Sequence, residues 1–323
     1  MAANRLSAWL GTAILCLVFA GCSTGHGGAL STQSAAAPAA AAQAESPQGN
    51  VGRRPNYRQV VIAAQSQNDH PLSKLTAEDL RLYQGDKQLQ IAFFEPQPAA
   101  VGIVVDTSGS MDPKLPLCRI ALKAFIDDLN PSDEISLFAF SERQFLLAKW
   151  TTDHAAVIQR LAVLHAYGRT ALYDSLSHVL AYLSESNMRR KAILLITDGI
   201  DDASHINLEH VEDLARKMNV PIYSIGVGNP NAHPPSFFAP KAGITEAFDT
   251  KPLTSLAKET GGETFVVTLD DKGAALSHTT AAIAGKIGSQ YEVGFIGDGS
   301  TSQLRFEAPD RRELIFKIEP AAS

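Results

Sequence analysis

Between residues 99 and 288 the chain alternates short, almost wholly apolar runs with longer amphipathic ones, and this alternation restricts the fold more than any other feature. The apolar runs at 102–105, 135–140, 192–197, 222–227 and 264–267 predict strands. Helical spacing predicts helices over 116–129, 153–164, 171–186, 207–218, 252–260 and 273–288. A strand with no polar face is one buried on both sides. Parallel strands crossed over by helices are buried in that way. The run 145–150 follows the second strand after the tight connection 141–144, which predicts an antiparallel edge strand. The expected fold class is therefore α/β, a doubly wound, mainly parallel, Rossmann-like sheet. The sequence shows no internal repeat.

Both flanks of this region read as β-structure. Strands are predicted at 57–65 and 88–95, with a short helical turn at 75–80 capped by Thr76. Leu82-Tyr83 leads into a hairpin-type turn at Gly85-Asp86. At the far end, strands are predicted at 291–296, 303–308 and 313–319, separated by Gly297-Asp298-Gly299 and Pro309-Asp310. Neither end alone holds enough strands for a stable sheet. The simplest arrangement is one small β-module formed by both chain ends, residues 51–98 and 289–323, with the α/β domain at 99–288 inserted in it.

The first fifty residues read as an address and a tether. Arg5 precedes an apolar stretch at 6–20, the length of a signal-peptide core and shorter than the ~20 residues of a comfortable membrane span. It ends in Ala20-Gly21-Cys22, which resembles the bacterial lipoprotein box. The resemblance implies cleavage before Cys22, lipidation of Cys22 and anchoring to a membrane by buried acyl chains. Ser23 beside the cysteine resembles an outer-membrane sorting signal where the host has two membranes. The expected location is the cell envelope, lipid-anchored, at the outer membrane or facing the periplasm in a Gram-negative host. Residues 23–50 are mostly Ala, Ser, Gly, Gln and Pro, with Glu45 as the single charge, the composition of a flexible spacer.

Composition excludes several functions. With 28 basic and 34 acidic residues the net charge is −6, which rules out a broad basic footprint for nucleic acid. Three cysteines exclude a disulfide scaffold and a four-cysteine zinc site. Cys118, on the first predicted helix of the inserted region, reads as a small core residue. There is no Gly-x-Ser-x-Gly elbow and no Gly-x-x-x-x-Gly-Lys phosphate loop. The run His205 to His210 fits neither zinc-protease spacing. A phosphatase with a nucleophilic strand-end aspartate wants a second carboxylate two residues on, where Ser108 stands.

One constellation remains. The first α/β strand ends in Asp106-Thr107-Ser108-Gly109-Ser110, with Gly109 easing the turn. The fourth ends in Thr197-Asp198-Gly199, and Thr170 lies at the start of the third helix. If the strand order is 3-2-1-4-5-6, the first and fourth strands are neighbours at the topological switch point, where ligands bind. Two carboxylates and three hydroxyls there make a hard oxygen site suited to Mg²⁺. Asp201 and Asp202, just beyond, read as solvated loop charges.

These residues resemble the von Willebrand factor type A domain and its metal-ion-dependent adhesion site over residues 99–288. Asp106, Ser108 and Ser110 match the family's Asp-x-Ser-x-Ser, Thr170 its threonine and Asp198 its second aspartate. The runs Tyr173-Asp174-Ser175-Leu176, Glu259-Thr260-Gly261-Gly262-Glu263 and Gln290 to Phe295 resemble bacterial envelope members of the family, of the Acidobacterial type. The resemblance implies direct metal ligation by Ser108 and Ser110. It implies direct or water-mediated ligation by Thr170, and largely water-mediated ligation by Asp106 and Asp198. It also implies Mg²⁺ as the ion, with Mn²⁺ or Ca²⁺ as alternatives, and a protein partner presenting Asp or Glu to the metal. Arg169 departs from the Gly-Gly-Thr common before that threonine and alters the charge beside the site.

The expected function is a lipid-anchored, non-enzymatic binding or adhesion module. The alternative is a Mg²⁺-dependent hydrolase acting on phosphate or peptide, for which no matching motif supplies a general base. Residues 229–250 exceed the ~2–6 residues of an ordinary strand-to-helix loop and leave from a strand's carboxyl end. Phe237 and Phe238, set among Pro230, Pro234, Pro235 and Pro240, are the candidate ligand-contact residues of that loop.

Overall fold

The structure is a computed structural model that describes residues 57–67, 75–228, 249–268, 274–297 and 303–319. Cys22, the tether, and Phe237 and Phe238 with their loop lie outside the described residues.

In chain order the strands are β1 (Tyr57–Ser66), β2 (Arg81–Gln84), β3 (Lys87–Pro96), β4 (Ala99–Asp106), β5 (Glu134–Phe140), β6 (Gln144–Thr151), β7 (Arg190–Thr197), β8 (Ile222–Val227), β9 (Thr264–Val267), β10 (Gln290–Ile296), β11 (Leu304–Glu307) and β12 (Leu314–Glu319). The helices are α1 (Leu115–Asp128), α2 (His154–Arg160), α3 (Leu172–Leu183), α4 (Leu208–Lys217), α5 (Thr250–Thr260) and α6 (Ala274–Ile287).

Strands β4 to β9 form one sheet in the order β6-β5-β4-β7-β8-β9. All pairs are parallel except β5 with β6, the antiparallel edge. This is the 3-2-1-4-5-6 order, and it places β4 beside β7. Every residue of β4 is buried, because helices cover both faces of the sheet. Val101, Ile103 and Val105 meet Leu122, Phe125 and Ile126 of α1 and Ile283 and Ile287 of α6. Val104 faces the other way, with Leu176, Val179 and Leu180 of α3 and Leu253 and Leu256 of α5. Each such side chain contributes about 1.5–3 kcal/mol on burial, so the ends of β4 and β7 are rigid supports.

The chain ends form a second sheet, order β11-β2-β3-β10-β1-β12, antiparallel throughout. Strand β10 lies between β1 and β3, so Val293 pairs with both Val60 and Phe94. Ile62, Leu80, Leu82, Val293 and Phe295 build its core. At Gly294 a side chain would collide with the Phe93 ring, which lies 2.0 Å from where a Cβ would stand. Arg190 ties the two junctions between the sheets together, donating to the Gln97 carbonyl at 2.7 Å and the Ile287 carbonyl at 2.5 Å.

Three expected elements differ in detail. Arg81–Gln84 is a full strand, where Leu82-Tyr83 was expected only as the approach to a turn, because β11 and β3 pair with it on its two edges. The helix expected over 153–164 stops at Arg160 and continues as a 3₁₀ turn, Leu161–Val163. The helix expected to reach residue 186 ends at Leu183, since Ser184, Glu185 and Ser186 each donate to the carbonyl three residues back and tighten the last turn.

Candidate metal centre

Asp106 ends β4 with no exposure to solvent. Both its carboxylate oxygens are claimed. Oδ1 accepts from the Ser108 N–H at 2.8 Å, and Oδ2 accepts from the Thr197 hydroxyl at 2.6 Å. Thr197 in turn accepts from the Gly199 N–H at 3.0 Å. The last residue of β7 therefore orients the last residue of β4, an interaction possible because the two strands are neighbours. Burial first, and then the negative charge of Asp198, push the Asp106 pKa upward.

After Asp106 the chain makes a short 3₁₀ turn, Gly109–Met111. It holds Ser108 Oγ and Ser110 Oγ 3.2 Å apart. Ser108 is buried and Ser110 half-buried. The backbone binds this loop to the next, with Gly109 N–H donating to the Gly168 carbonyl at 3.0 Å and Tyr167 N–H to the Thr107 carbonyl at 2.8 Å. In these loops the left-handed backbone sits at Gly168 (φ 73°) and Gly199 (φ 82°). What Gly109 contributes is close approach of its N–H to the facing loop.

The third loop clasps Thr170. Its carbonyl accepts from the N–H groups of Asp202 and Ala203, each at 3.0 Å, and its own N–H donates to Asp202 Oδ1 at 2.8 Å. Ala171, at the cap position of α3, has no side chain to satisfy the helix's first N–H groups. Asp201 Oδ1 accepts from Leu172 N–H at 2.8 Å, and Ser204 Oγ accepts from Tyr173 N–H at 3.0 Å. Asp201 is thus a cap of α3 supplied from another loop, a correction to its reading as a solvated charge, whereas Asp202 stays 47% exposed while it holds the Thr170 N–H. Arg169 is exposed and paired with Asp202, Nε to Oδ2 at 3.2 Å, which neutralises the departure from Gly-Gly-Thr locally.

Asp198 carries a feature that sequence reasoning missed. Its Oδ2 lies 3.0 Å from Lys114 Nζ, and the two side chains are 1% and 0% exposed. Its Oδ1 is buried and, among the described residues, has no hydrogen-bond partner. The charges of Lys114 and Asp106 both act on the thiol of Cys118, one turn into α1, although burial dominates and pushes that thiol up to about 12. A lysine directly before the apolar stretch Leu115-Pro116-Leu117 is the sequence signal that could have flagged Lys114.

The three loops carrying Asp106, Ser108, Ser110, Thr170 and Asp198 are thus bonded to one another at the carboxyl end of the sheet. The donor set is all oxygen, and the orphaned, buried Asp198 Oδ1 is an acceptor that a cation would satisfy. That chemistry fits a hard divalent ion such as Mg²⁺. Among the described residues no group of three or more His, Cys, Asp or Glu is gathered in a way that could hold a metal. A cleft of about 860 Å³ opens at the opposite end of the sheet, beside Ala99, Arg190 and Pro221.

Residues 101–281 match the model of the von Willebrand factor type A domain. A curated relative, described as an uncharacterized protein of Borreliella burgdorferi, is 27% identical over 179 residues, or 51% of this chain and 52% of that protein. The chain therefore spans about half the length of that relative. Among solved structures, a von Willebrand factor type A protein from Catenulispora acidiphila has a TM-score of 0.50 at 15% identity, covering 84% of this chain and 73% of that one. BatB, a conserved hypothetical protein of Bacteroides thetaiotaomicron, gives 0.46 at 19% identity over 58% of this chain and 98% of its own. With the matched residues spanning more than half its length, the chain belongs to the von Willebrand factor type A domain family.

Proposed function

We propose that this protein is a metal-dependent binding module, held at the cell envelope by a lipid on Cys22, that captures a protein partner through an Asp or Glu side chain. The observation that carries the reading is Asp198 Oδ1, which is buried and, among the described residues, without a hydrogen-bond partner, at the same end of the sheet as the Ser108 and Ser110 hydroxyls, themselves 3.2 Å apart. Ser108, Ser110, Thr170, Asp106 and Asp198 would hold the ion. Mg²⁺, when bound, supplies a Lewis-acidic position that an incoming carboxylate can fill. The chain's own residues do the positioning. Thr197 and the Ser108 N–H fix the Asp106 carboxylate, and Asp202 fixes Thr170.

Binding is favoured over hydrolysis by the surroundings of the cradle. Among the described residues, no histidine hydrogen-bonds to any of the five, and the lysine at the site is buried in an ion pair with Asp198. Support for the anchor is the apolar stretch at 6–20 running into Ala20-Gly21-Cys22. Among the described residues no helix is long and apolar enough to cross a membrane.

The reading is tested by titrating Mg²⁺ calorimetrically into the wild type and Asp106→Ala. Saturable uptake by the wild type and its loss in the variant are expected, while equal uptake by both would overturn the assignment. Pull-down from the native envelope with and without chelator then separates metal-dependent capture from turnover of phosphate or peptide substrates.

A further inference from the structure

The cradle contains a cation of its own. Lys114 stands immediately before α1, and its side chain has no solvent exposure. Among the described residues its ammonium has one hydrogen-bond partner, Asp198 Oδ2 at 3.0 Å. Lysine is almost never buried so completely unless an anion is beside it. Here the anion is one of the two carboxylates that the proposed function assigns to the metal. Asp198 therefore has two suitors. Its Oδ2 is taken by the ammonium, and its buried Oδ1 is open.

The charge of the centre depends on which cations it holds. With both carboxylates ionised, the form that a divalent ion binds, they and one ammonium sum to −1. A divalent ion added with Lys114 in place brings the centre to +1, whereas without the ammonium it would bring it to zero. In a buried setting a like charge a few ångströms from the ion opposes its entry strongly.

We propose that Lys114 is the resident cation of this centre: it balances Asp198 in the metal-free protein and competes with the divalent ion for that carboxylate. The centre is then stable without metal, and its affinity for the ion is held down. The +1 charge of the metal-loaded centre is cancelled by one carboxylate from outside. Metal and an acidic partner thus bind with positive coupling, each raising the other's affinity by the same factor. This inference rests on the metal-binding reading and assigns it a regulator within the chain.

The test is calorimetric titration of Mg²⁺ alone into the wild type, Lys114→Gln, Lys114→Met, Lys114→Arg and Asp106→Ala, with thermal melts of each in chelator. Lys114→Gln and Lys114→Met are expected to bind Mg²⁺ roughly tenfold tighter or more, since the opposing charge is gone. Lys114→Arg keeps the charge and should stay at wild-type affinity or below. In chelator, Lys114→Met should melt below the wild type, and Mg²⁺ should raise its melting temperature more than it raises that of the wild type. Lys114→Gln retains a donor for Asp198 and serves where Lys114→Met fails to fold. The inference is overturned if both neutral variants bind Mg²⁺ no tighter than the wild type while Asp106→Ala still abolishes uptake. If Asp106→Ala binds as the wild type does, the metal centre itself is misassigned, and the inference falls with it.

Discussion

Replacing Thr197 with valine removes one atom's chemistry from the cradle and little of its shape. Thr197 is fully buried, and its hydroxyl is both donor and acceptor. It donates to Asp106 Oδ2 at 2.6 Å and accepts from Gly199 N–H at 3.0 Å. Losing a hydrogen bond to a charged group costs about 1.5–3 kcal/mol, and stranding a buried N–H costs about 1–3 kcal/mol. The methyl that replaces the hydroxyl returns about 0.8 kcal/mol. The net expectation is a loss of about 2–5 kcal/mol. In a folded unit of this size, at about 2–4 °C per kcal/mol, that corresponds to a fall in melting temperature of about 4–20 °C. Scanning calorimetry in chelator measures it without interference from metal. Thr197→Ser keeps the hydroxyl and should recover most of the loss. With the Asp106 carboxylate no longer held, Mg²⁺ affinity should fall as well. A Thr197→Val protein melting within about 1 °C of the wild type in chelator would refute the argument that β7 orients the β4 carboxylate.

Three further outcomes are expected. Burial pushes the Cys118 thiol up to about 12, so it stays protonated and closed to reagent, and native protein should resist iodoacetamide at pH 8 while denaturant exposes the thiol. Rapid native alkylation would contradict the packing of α1. Cys22→Ser should release the protein from membranes or leave it unprocessed, and a normally processed, membrane-retained variant would remove the anchor. Deleting residues 290–323 takes out β10, the strand between β1 and β3, and leaves β1 without a neighbour on either side. The truncated protein should aggregate through its bare edges. A soluble monomer with unchanged protease resistance over residues 57–96 would refute the shared sheet.

The parallel sheet was legible because β4, β5, β7 and β8 are runs of apolar residues with no polar face, and nothing but a doubly covered sheet buries such runs. The placement of Ser108, Ser110, Thr170 and Asp198 at one end of the sheet was legible for a related reason. Each stands at a break where an apolar or amphipathic run stops, and chain order alone places those breaks at one end of the sheet. The two-ended module was legible from a shortage, since neither flank could satisfy its own edges. The placement of β10 inside it was not. Pairing Val293 with Val60 and Phe94 joins residues some two hundred positions apart, and no local pattern carries that register.

Sequence by itself determined the fold class, the order of the elements and the oxygen chemistry at the strand ends, because periodicity and turn residues act locally. Tertiary structure decided which charges face which. Asp201 looks like a solvated acid until α3 presents the uncapped Leu172 N–H to it. Lys114 looks like a surface lysine until the fold brings Asp198, 84 positions further on, to its ammonium in a place closed to water. Electrostatic energy depends on distance and on solvent exclusion, and both are set only when the chain has folded.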